Sequence, residues 1–536
     1  MSLTTEGPRA AEEPGEARPV TALQSRPASV PVRLAAPVSE GMSRRFNSSD
    51  PSPGLDIARR PALGRLMRDR RFQFLLILPN QIVFWTVIFV GLLGTAVPGL
   101  NFATAITWYV WFCLVFVMMV VVGRAWCSMC PFGGFAEWVQ RRTLFQRTQK
   151  ALGLGLKFPE PLARLGFLIP VASFLLLTWI EEFFNIAGPG NPADTSFMVI
   201  GIVASALIFF LVFERRTFCR YICPLTTLIG TVGSMGSVAG FRTRDRQTCL
   251  SCKTKDCMRG SDNGYGCPWY TWPGSADSNL YCGLCTECFK SCPEGNIGLF
   301  LQKPLTSVIS PARRRGDVAW GVALLWGLVL YQQFNATNIF NTIDNKLNSA
   351  VGFPHYPNPV DYLGLIALGA LTLAGAAFAL SRLFGKPALF AKPSLPAPAK
   401  KASFIDNMTP FRAFFLPVAY GLIPVVGADY FARQLPKFFH GSPRVLPAAA
   451  HIFGFASTKS PFYSASLLGD NAIVITQVVV IAVGTLAALW STWRLAGREL
   501  APVSRSATGA RIASLAFVAA CGAGAALLYV LMHAAN

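Results

Sequence analysis

Charge is what this chain has least of. Only 14% of its 536 residues are Asp, Glu, Lys or Arg, against about 25% in an ordinary soluble domain. With 52% hydrophobic residues and a mean hydropathy of +0.42, that scarcity excludes a soluble globular protein and leaves a multispanning membrane protein. Acidic residues are the rarer sign, 27 against 48 basic, for a net charge of +21. The Lys and Arg cluster beside apolar runs, as cytoplasmic membrane flanks do, so the excess does not point to nucleic acid. Histidine is almost missing: His355, His440, His451 and His533 are the whole supply. The first three fall in expected outer loops and the last at the outer end of the chain, so paired axial haem ligands within the bilayer are not expected.

Apolar runs of about 17 to 25 residues, long enough to cross a bilayer, fall near 73–98, 104–123, 162–184 and 196–214. Others lie near 317–335, 361–384, 411–430, 472–495 and 511–532. The expected fold class is an all-α polytopic membrane helix bundle of about nine transmembrane helices, with a small α+β insert. Residues 1–70 read as a disordered tail rich in Pro, Ala, Ser and Arg. Residues 71–240 read as a four-helix membrane region, 241–305 as the insert and 306–536 as a region of about five helices. Ser43, Arg44 and Arg45 lack a nearby apolar run and a cleavage site, so they are not taken as a signal. The Pro/Ala/Lys stretch 386–401 reads as a linker.

Positive charge sets the orientation. Arg65, Arg68, Arg70 and Arg71 precede the first span, and Arg141, Arg142, Arg147, Lys150 and Lys157 follow the second. Arg215, Arg216, Arg242, Arg244 and Arg246 lead into the insert, and Arg313, Arg314 and Arg315 leave it. The N-terminus and the insert are therefore expected in the cytoplasm, in a bacterial cytoplasmic (inner) membrane.

The 14 cysteines are distributed unevenly. Cys113 and Cys521 stand alone in apolar spans and read as core residues. Cys282, Cys285, Cys288 and Cys292, followed by Pro293, keep the C-x2-C-x2-C-x3-C-P spacing that wraps a cubane iron–sulfur cluster. Cys249, Cys252, Cys257 and Cys267, followed by Pro268, form a looser version of it. The fourth cysteine of such a run usually serves the other cluster. That rule gives one [4Fe-4S] site from Cys249, Cys252, Cys257 and Cys292, and a second from Cys267, Cys282, Cys285 and Cys288. Zinc is the main rival for paired cysteines. Disulfides are disfavoured in a reducing cytoplasm.

The first four spans hold an internal repeat. Span two ends Arg124-Ala125-Trp126-Cys127, followed by Cys130-Pro131, and span four ends Arg216-Thr217-Phe218-Cys219, followed by Cys223-Pro224. Two copies at one depth would bring Cys127, Cys130, Cys219 and Cys223 together at the inner membrane surface. A third cluster and a redox-active dithiol pair are both open readings, and the recurrence weighs against a purely structural role.

The doubled Cys-Pro motif ahead of the paired cysteine runs resembles the NosR/NapH-type membrane polyferredoxins, and more distantly the copper-oxidase assembly ferredoxins, over roughly residues 73–305. The resemblance implies an electron carrier between the quinone pool, or a cytoplasmic donor, and a periplasmic or membrane reductase. It also implies that the eight insert cysteines ligate clusters and that the four Cys-Pro cysteines are the motif's own. The first pair has a two-residue spacer where the family usually has three. The chain shows no soluble flavin domain before span one, so a flavin-fed route is not expected.

Electrons crossing a core of about 30 Å need a further carrier, and a quinone is the economical choice. Glu181, Glu182 and Asp429, expected near outer helix ends, are the candidate polar groups for it. Lys253, Lys255, Arg259 and Lys290 surround the cysteines and suit an acidic ferredoxin, flavodoxin or flavoenzyme, or anionic membrane lipid. An assembly factor delivering electrons to another membrane complex and a redox sensor are the alternative functions.

Overall fold

The computed structural model describes residues 54–145, 152–187, 190–310, 314–335, 337–352, 357–387, 410–455 and 457–534. Residues 1–53 of the expected tail, 388–401 of the expected linker, Arg147, Lys150, Arg313, His355 and the side chain of His533 lie outside them.

The apolar runs form long helices. A short helix α1 (Pro61–Arg68) leads into α2 (Arg71–Leu93); a π-turn then opens α3 (Phe112–Val122), and an amphipathic helix α4 (Pro131–Arg141) follows. Next come α5 (Leu168–Phe183), α6 (Pro192–Val212) and the buried α7 (Leu225–Gly233). After the insert the chain continues as α8 (Gly316–Phe334), α9 (Asn338–Val351), α10 (Pro359–Phe384), α11 (Phe411–Gly441), α12 (Asp470–Leu495) and α13 (Ala507–Ala534). Local chemistry sets several starts. Asn191 and Asn358 each accept a hydrogen bond from the N–H two residues on, with Pro192 and Pro359 at the first helical position, where the missing N–H costs nothing.

Seven helices among the described residues are long and apolar enough to cross a membrane. Two of the nine expected spans, α5 and α8, form helices but fall outside that set. At one end of the α5/α8 pair, Asp317 accepts from the Phe167 N–H at 2.9 Å. At the other, the Tyr331 hydroxyl donates to Glu182 at 2.8 Å, so α5 and α8 run parallel. Helix α8 is buried along most of its length. A Cβ on its Gly327 would stand 2.1 Å from the Ile366 carbonyl oxygen of α10, the close approach that small residues permit between apolar helices.

Helix α11 runs past the expected end of its span near residue 430 and carries Pro417, Pro424 and Pro436. His440, expected in a loop, is therefore helical, and its imidazole lies between Asp470 (3.0 Å) and Ser466 (2.9 Å). His451 closes the short helix Val445–His451.

The insert is α+β. Strand β1 (Val238–Thr243) pairs antiparallel with β2 (Ile297–Leu301), Val238 opposite Leu301 and Thr243 opposite Ile297. Short helices Arg246–Ser251, Asp256–Arg259 and Glu287–Ser291 carry Cys249, Cys257 and Cys288, and Cys252 and Cys292 cap the first and the last of them. Residues 54–70, expected as the end of an unstructured tail, fold onto this sheet instead. Leu301 N–H donates to the Leu55 carbonyl at 2.9 Å, Asp56 pairs with Arg244 at 2.7 Å, and Ala58 and Met67 are buried against Phe241 and Phe289. The physical reason is that one carboxylate and two apolar side chains are enough to dock so short a segment onto an existing surface.

Candidate metal centre

The two copies of the cysteine repeat arrive at the same end of the bundle by matching backbone routes. Four residues before the first cysteine of each copy the chain takes a positive φ, 76° at Gly123 and 42° at Arg215. A fully buried arginine follows in both, Arg124 and Arg216. The spacers differ by one residue, and the difference is absorbed locally. Copy one makes a single α-turn, Trp126–Met129. Copy two makes a π-turn, Phe218–Ile222, closed by the Cys223 N–H on the Phe218 carbonyl at 2.8 Å, an insertion common at functional sites. Both second cysteines are extended, with ψ of 124° at Cys130 and 119° at Cys223, as the residue before proline must be.

These turns bring four thiols within electrostatic reach of one another. Cys219 faces Cys223, Cys130 and Cys127; Cys130 faces Cys223 and Cys127; Cys223 faces Cys127. Room is kept for the sulfurs, since a Cβ on Gly133 would stand 3.2 Å from Cys219 Sγ. None of the 14 cysteines is in a disulfide. Burial pushes the Cys130 thiol up to about 12 and the Cys223 thiol up to about 11. Without a bound cation both would stay protonated at neutral pH.

The two arginines cross between the copies. Arg216 gives Nε to Glu137 at 2.7 Å, adds a second contact from Nη2 to the same carboxylate, and donates Nη1 to the Cys127 carbonyl at 3.0 Å. Arg124 gives Nε to Cys127 Sγ at 3.4 Å, Nη1 to the Leu280 carbonyl at 2.5 Å and Nη2 to Thr226 of copy two at 3.3 Å. Its guanidinium lies 4.1 Å over the Trp269 ring. Glu137, which the sequence reading did not single out, is buried and also holds Arg141 at 3.2 Å. Burial alone would raise its pKa, but the Arg216 and Arg141 guanidinium groups hold the carboxyl below the usual range. Its sequence signal was a lone carboxylate in the helix that follows the first Cys-Pro.

In the insert the eight thiols divide into two sets. Cys257 faces Cys292, Cys249, Cys252 and then Cys267, and Cys292 faces Cys249 and Cys252. Cys288 faces Cys267, Cys285, Cys282 and then Cys257; Cys267 faces Cys282, and Cys285 faces Cys267. Burial pushes the Cys257 thiol up to about 12 and the Cys267 thiol up to about 11. Arg216 lies within reach of both Cys219 and Cys285, so the second set adjoins the thiols at the helix ends.

The surroundings suit an anionic group. Phe241 N–H points to Cys282 Sγ at 3.5 Å, and Asn296 Nδ2 to Cys249 Sγ at 3.4 Å. Gly240, at φ 88°, has no side chain where a Cβ would stand 2.8 Å from Cys282 Sγ. Among the described residues the buried donors of Trp269, Trp272, Thr286 and Ser291 have no hydrogen-bond partner, and such donors stabilise cluster sulfurs. Among the described residues no three His, Cys, Asp or Glu converge as the ligands of a single metal ion do.

The other expected polar groups fall elsewhere. Glu181, Glu182 and Asp429 gather at the opposite end of the bundle from the thiols. Glu182 accepts from Tyr331 and lies 3.6 Å from Arg433, Gln333 donates to Asp429, and Lys437 faces Glu181. Asp429 is buried inside α11 rather than placed near a helix end, because the helix runs 11 residues past the expected end. Of the basic residues around the cysteines, Lys290 is buried against Glu287 at 3.1 Å and is not a surface charge. Lys255 lies 4.7 Å over the Trp272 ring, while Lys253 and Arg259 are exposed.

Residues 104–151 and 195–240 match the family model of a 4Fe-4S binding domain. Each stretch contains one copy of the Cys-Pro repeat, and neither contains any of the eight insert cysteines. The match indicates 4Fe-4S cluster binding, and with the long apolar helices it describes an iron–sulfur membrane protein. No curated protein and no solved structure matches the chain.

Proposed function

We propose that this protein is an integral membrane iron–sulfur electron carrier of the NosR/NapH polyferredoxin type, holding three [4Fe-4S] clusters. Cys249, Cys252, Cys257 and Cys292 hold one, Cys267, Cys282, Cys285 and Cys288 the second, and Cys127, Cys130, Cys219 and Cys223 the third. When bound, such clusters store and pass single electrons. The observation that carries the reading is the order of the thiol sets: Cys257 adjoins Cys288, and Arg216 adjoins both Cys285 and Cys219. The match of the 4Fe-4S family model to the two Cys-Pro copies favours a cluster there over a dithiol.

The chain's own residues keep the sets in register and dry. Arg215 donates to the carbonyls of Met258 (2.6 Å), Cys267 (3.0 Å) and Arg259 (2.9 Å), fixing the insert to the end of α6. Trp269, Phe289 and Phe241 bury the second set. Helices α3 and α6 end together, so the chain between them must traverse the bundle, and α5 is the helix available to do so; α8 runs parallel to it. These two complete nine crossings, with N-terminus and insert in the cytoplasm by the positive-inside rule. A membrane quinone and a periplasmic or membrane oxidoreductase are the exchange partners, with an acidic cytoplasmic ferredoxin, flavodoxin or flavoenzyme at the exposed Lys253 and Arg259. The protein acts as an electron-transfer component of an oxidoreductase system.

The test is iron and sulfide analysis with electron paramagnetic resonance on anaerobically purified full-length protein, titrated first with a quinol and then with dithionite. The expected result is about twelve irons per chain, three clusters of four, at least one of them reduced by quinol. About eight irons would remove the third cluster, reduction by dithionite alone would favour the assembly-factor reading, and zinc in place of iron would end the account.

A further inference from the structure

The two repeat arginines differ in one respect that bears on the thiols beside them. Arg216 is neutralised by Glu137, which takes two contacts from its guanidinium. Arg124 is equally buried, at 1% exposure, yet its acceptors are a sulfur, a carbonyl and a hydroxyl, and its flat face lies on an indole. Among the described residues no carboxylate is its partner. A guanidinium does not give up its proton in a protein, and a buried charge without a counter-charge is strongly unfavourable. The charge is aimed: Nε points at Cys127 Sγ, and Cys223 of the other copy lies within its electrostatic reach.

We infer that Arg124 is the resident counter-cation of the Cys127/Cys130/Cys219/Cys223 site, a positioning residue that raises the reduction potential of the cluster held there. The inference rests on the proposal that these four thiols hold a cluster. A cubane with four thiolates is an anion in every working oxidation state, and reduction adds a further negative charge. A fixed cation and an N–H donor to a ligand sulfur both favour the reduced form. Leu280 and Trp269, which hold the other side of the guanidinium, belong to the insert, and Trp269 is two residues from Cys267. The residue that tunes the helix-end site therefore also fixes its distance to the neighbouring thiol set.

The experiment is an electron-paramagnetic-resonance redox titration of full-length protein in detergent, comparing wild type, Arg124→Gln and Arg124→Lys, with Cys223→Ser identifying the signal of the helix-end site. In Arg124→Gln that signal shifts to lower potential. At the wild-type midpoint its oxidised-to-reduced ratio rises at least tenfold, about 59 mV for a one-electron couple, while the insert signals stay in place. Arg124→Lys, which keeps the charge but loses the fork that reaches both sulfur and carbonyl, shifts less in the same direction. Should the Gln variant not accumulate, the Lys variant carries the test. A helix-end signal retained at full iron content and unshifted in whichever variant accumulates overturns the inference while leaving the third cluster intact. A wild-type iron content of about eight with no signal lost in Cys223→Ser overturns the third cluster, and the inference with it.

Discussion

In the first copy of the Cys-Pro repeat the buried guanidinium of Arg124 rests on neutral groups and a cysteine sulfur, whereas in the second that of Arg216 is gripped by Glu137. The backbones differ in a complementary way. Copy one turns through a glycine at Gly123; copy two holds a non-glycine residue, Arg215, at a positive φ too and adds a π-turn. The same fragment has thus been used once to place a charge beside sulfur and once to bolt helices and insert together. Equivalent positions in a repeat do not imply equivalent roles; the partners decide.

The comparison breaks most visibly at Glu137. Replacing it with Gln leaves Arg216 buried without a counter-charge, for which a loss of about 3–5 kcal/mol is expected. Thermal unfolding of the detergent-solubilised protein should show it, and the double variant Glu137→Gln/Arg216→Gln should recover part of the loss.

Acid probes the same pair. The folded pKa of Glu137 lies below its unfolded value, about 4.3, so its stabilisation is fully present above that value and fades as pH falls through the folded pKa. The unfolding midpoint of wild type should carry an acid-side fall from this group that Glu137→Gln lacks, measured by scanning pH from 7 downward. Matching acid limbs in the two proteins would refute the assignment.

Next in size is Gly123→Ala. A Cβ there would stand 2.9 Å from Asn279 Nδ2 and 3.1 Å from the Gly233 carbonyl, at a φ of 76°. A cost of about 1–3 kcal/mol is expected, read as a lowered unfolding midpoint. The smallest net effect is expected for Arg215→Gly. Relief of the positive φ, about 1–2 kcal/mol, offsets much of the loss of three hydrogen bonds to the insert. Hydrogen exchange should quicken around residues 257–267 while α3 and α6 stay protected. Unchanged exchange there would mean that Arg215 does not hold the insert.

Much of this organisation was legible because it is local. The apolar runs, the Cys-Pro spacing and the 2-2-3 cysteine run each depend on residues close in sequence, and the structure places helices on all nine expected runs. What stayed hidden depends on meetings across the chain. Glu137 gives no sign that its partner is 79 residues away, and Asp56 none that it will meet Arg244 across 188. Asp429 was placed near a helix end because hydropathy falls after residue 430. The helix persists through Arg433, Lys437 and Pro436 because Arg433 and Lys437 face Glu182 and Glu181 rather than lipid.

The neck of the insert has a consequence for how such a protein can change over time. The chain enters the insert beside the place where it leaves: Gln302 N–H donates to the Ser237 carbonyl at 2.7 Å, and Val238 pairs with Leu301. A segment whose two ends are hydrogen-bonded neighbours can be cut out and replaced by a short hairpin without pulling on the helices at either side. The cysteine-bearing cassette could therefore be lengthened or exchanged as a unit, so long as the Leu280 carbonyl and the Trp269 ring that hold Arg124 were kept.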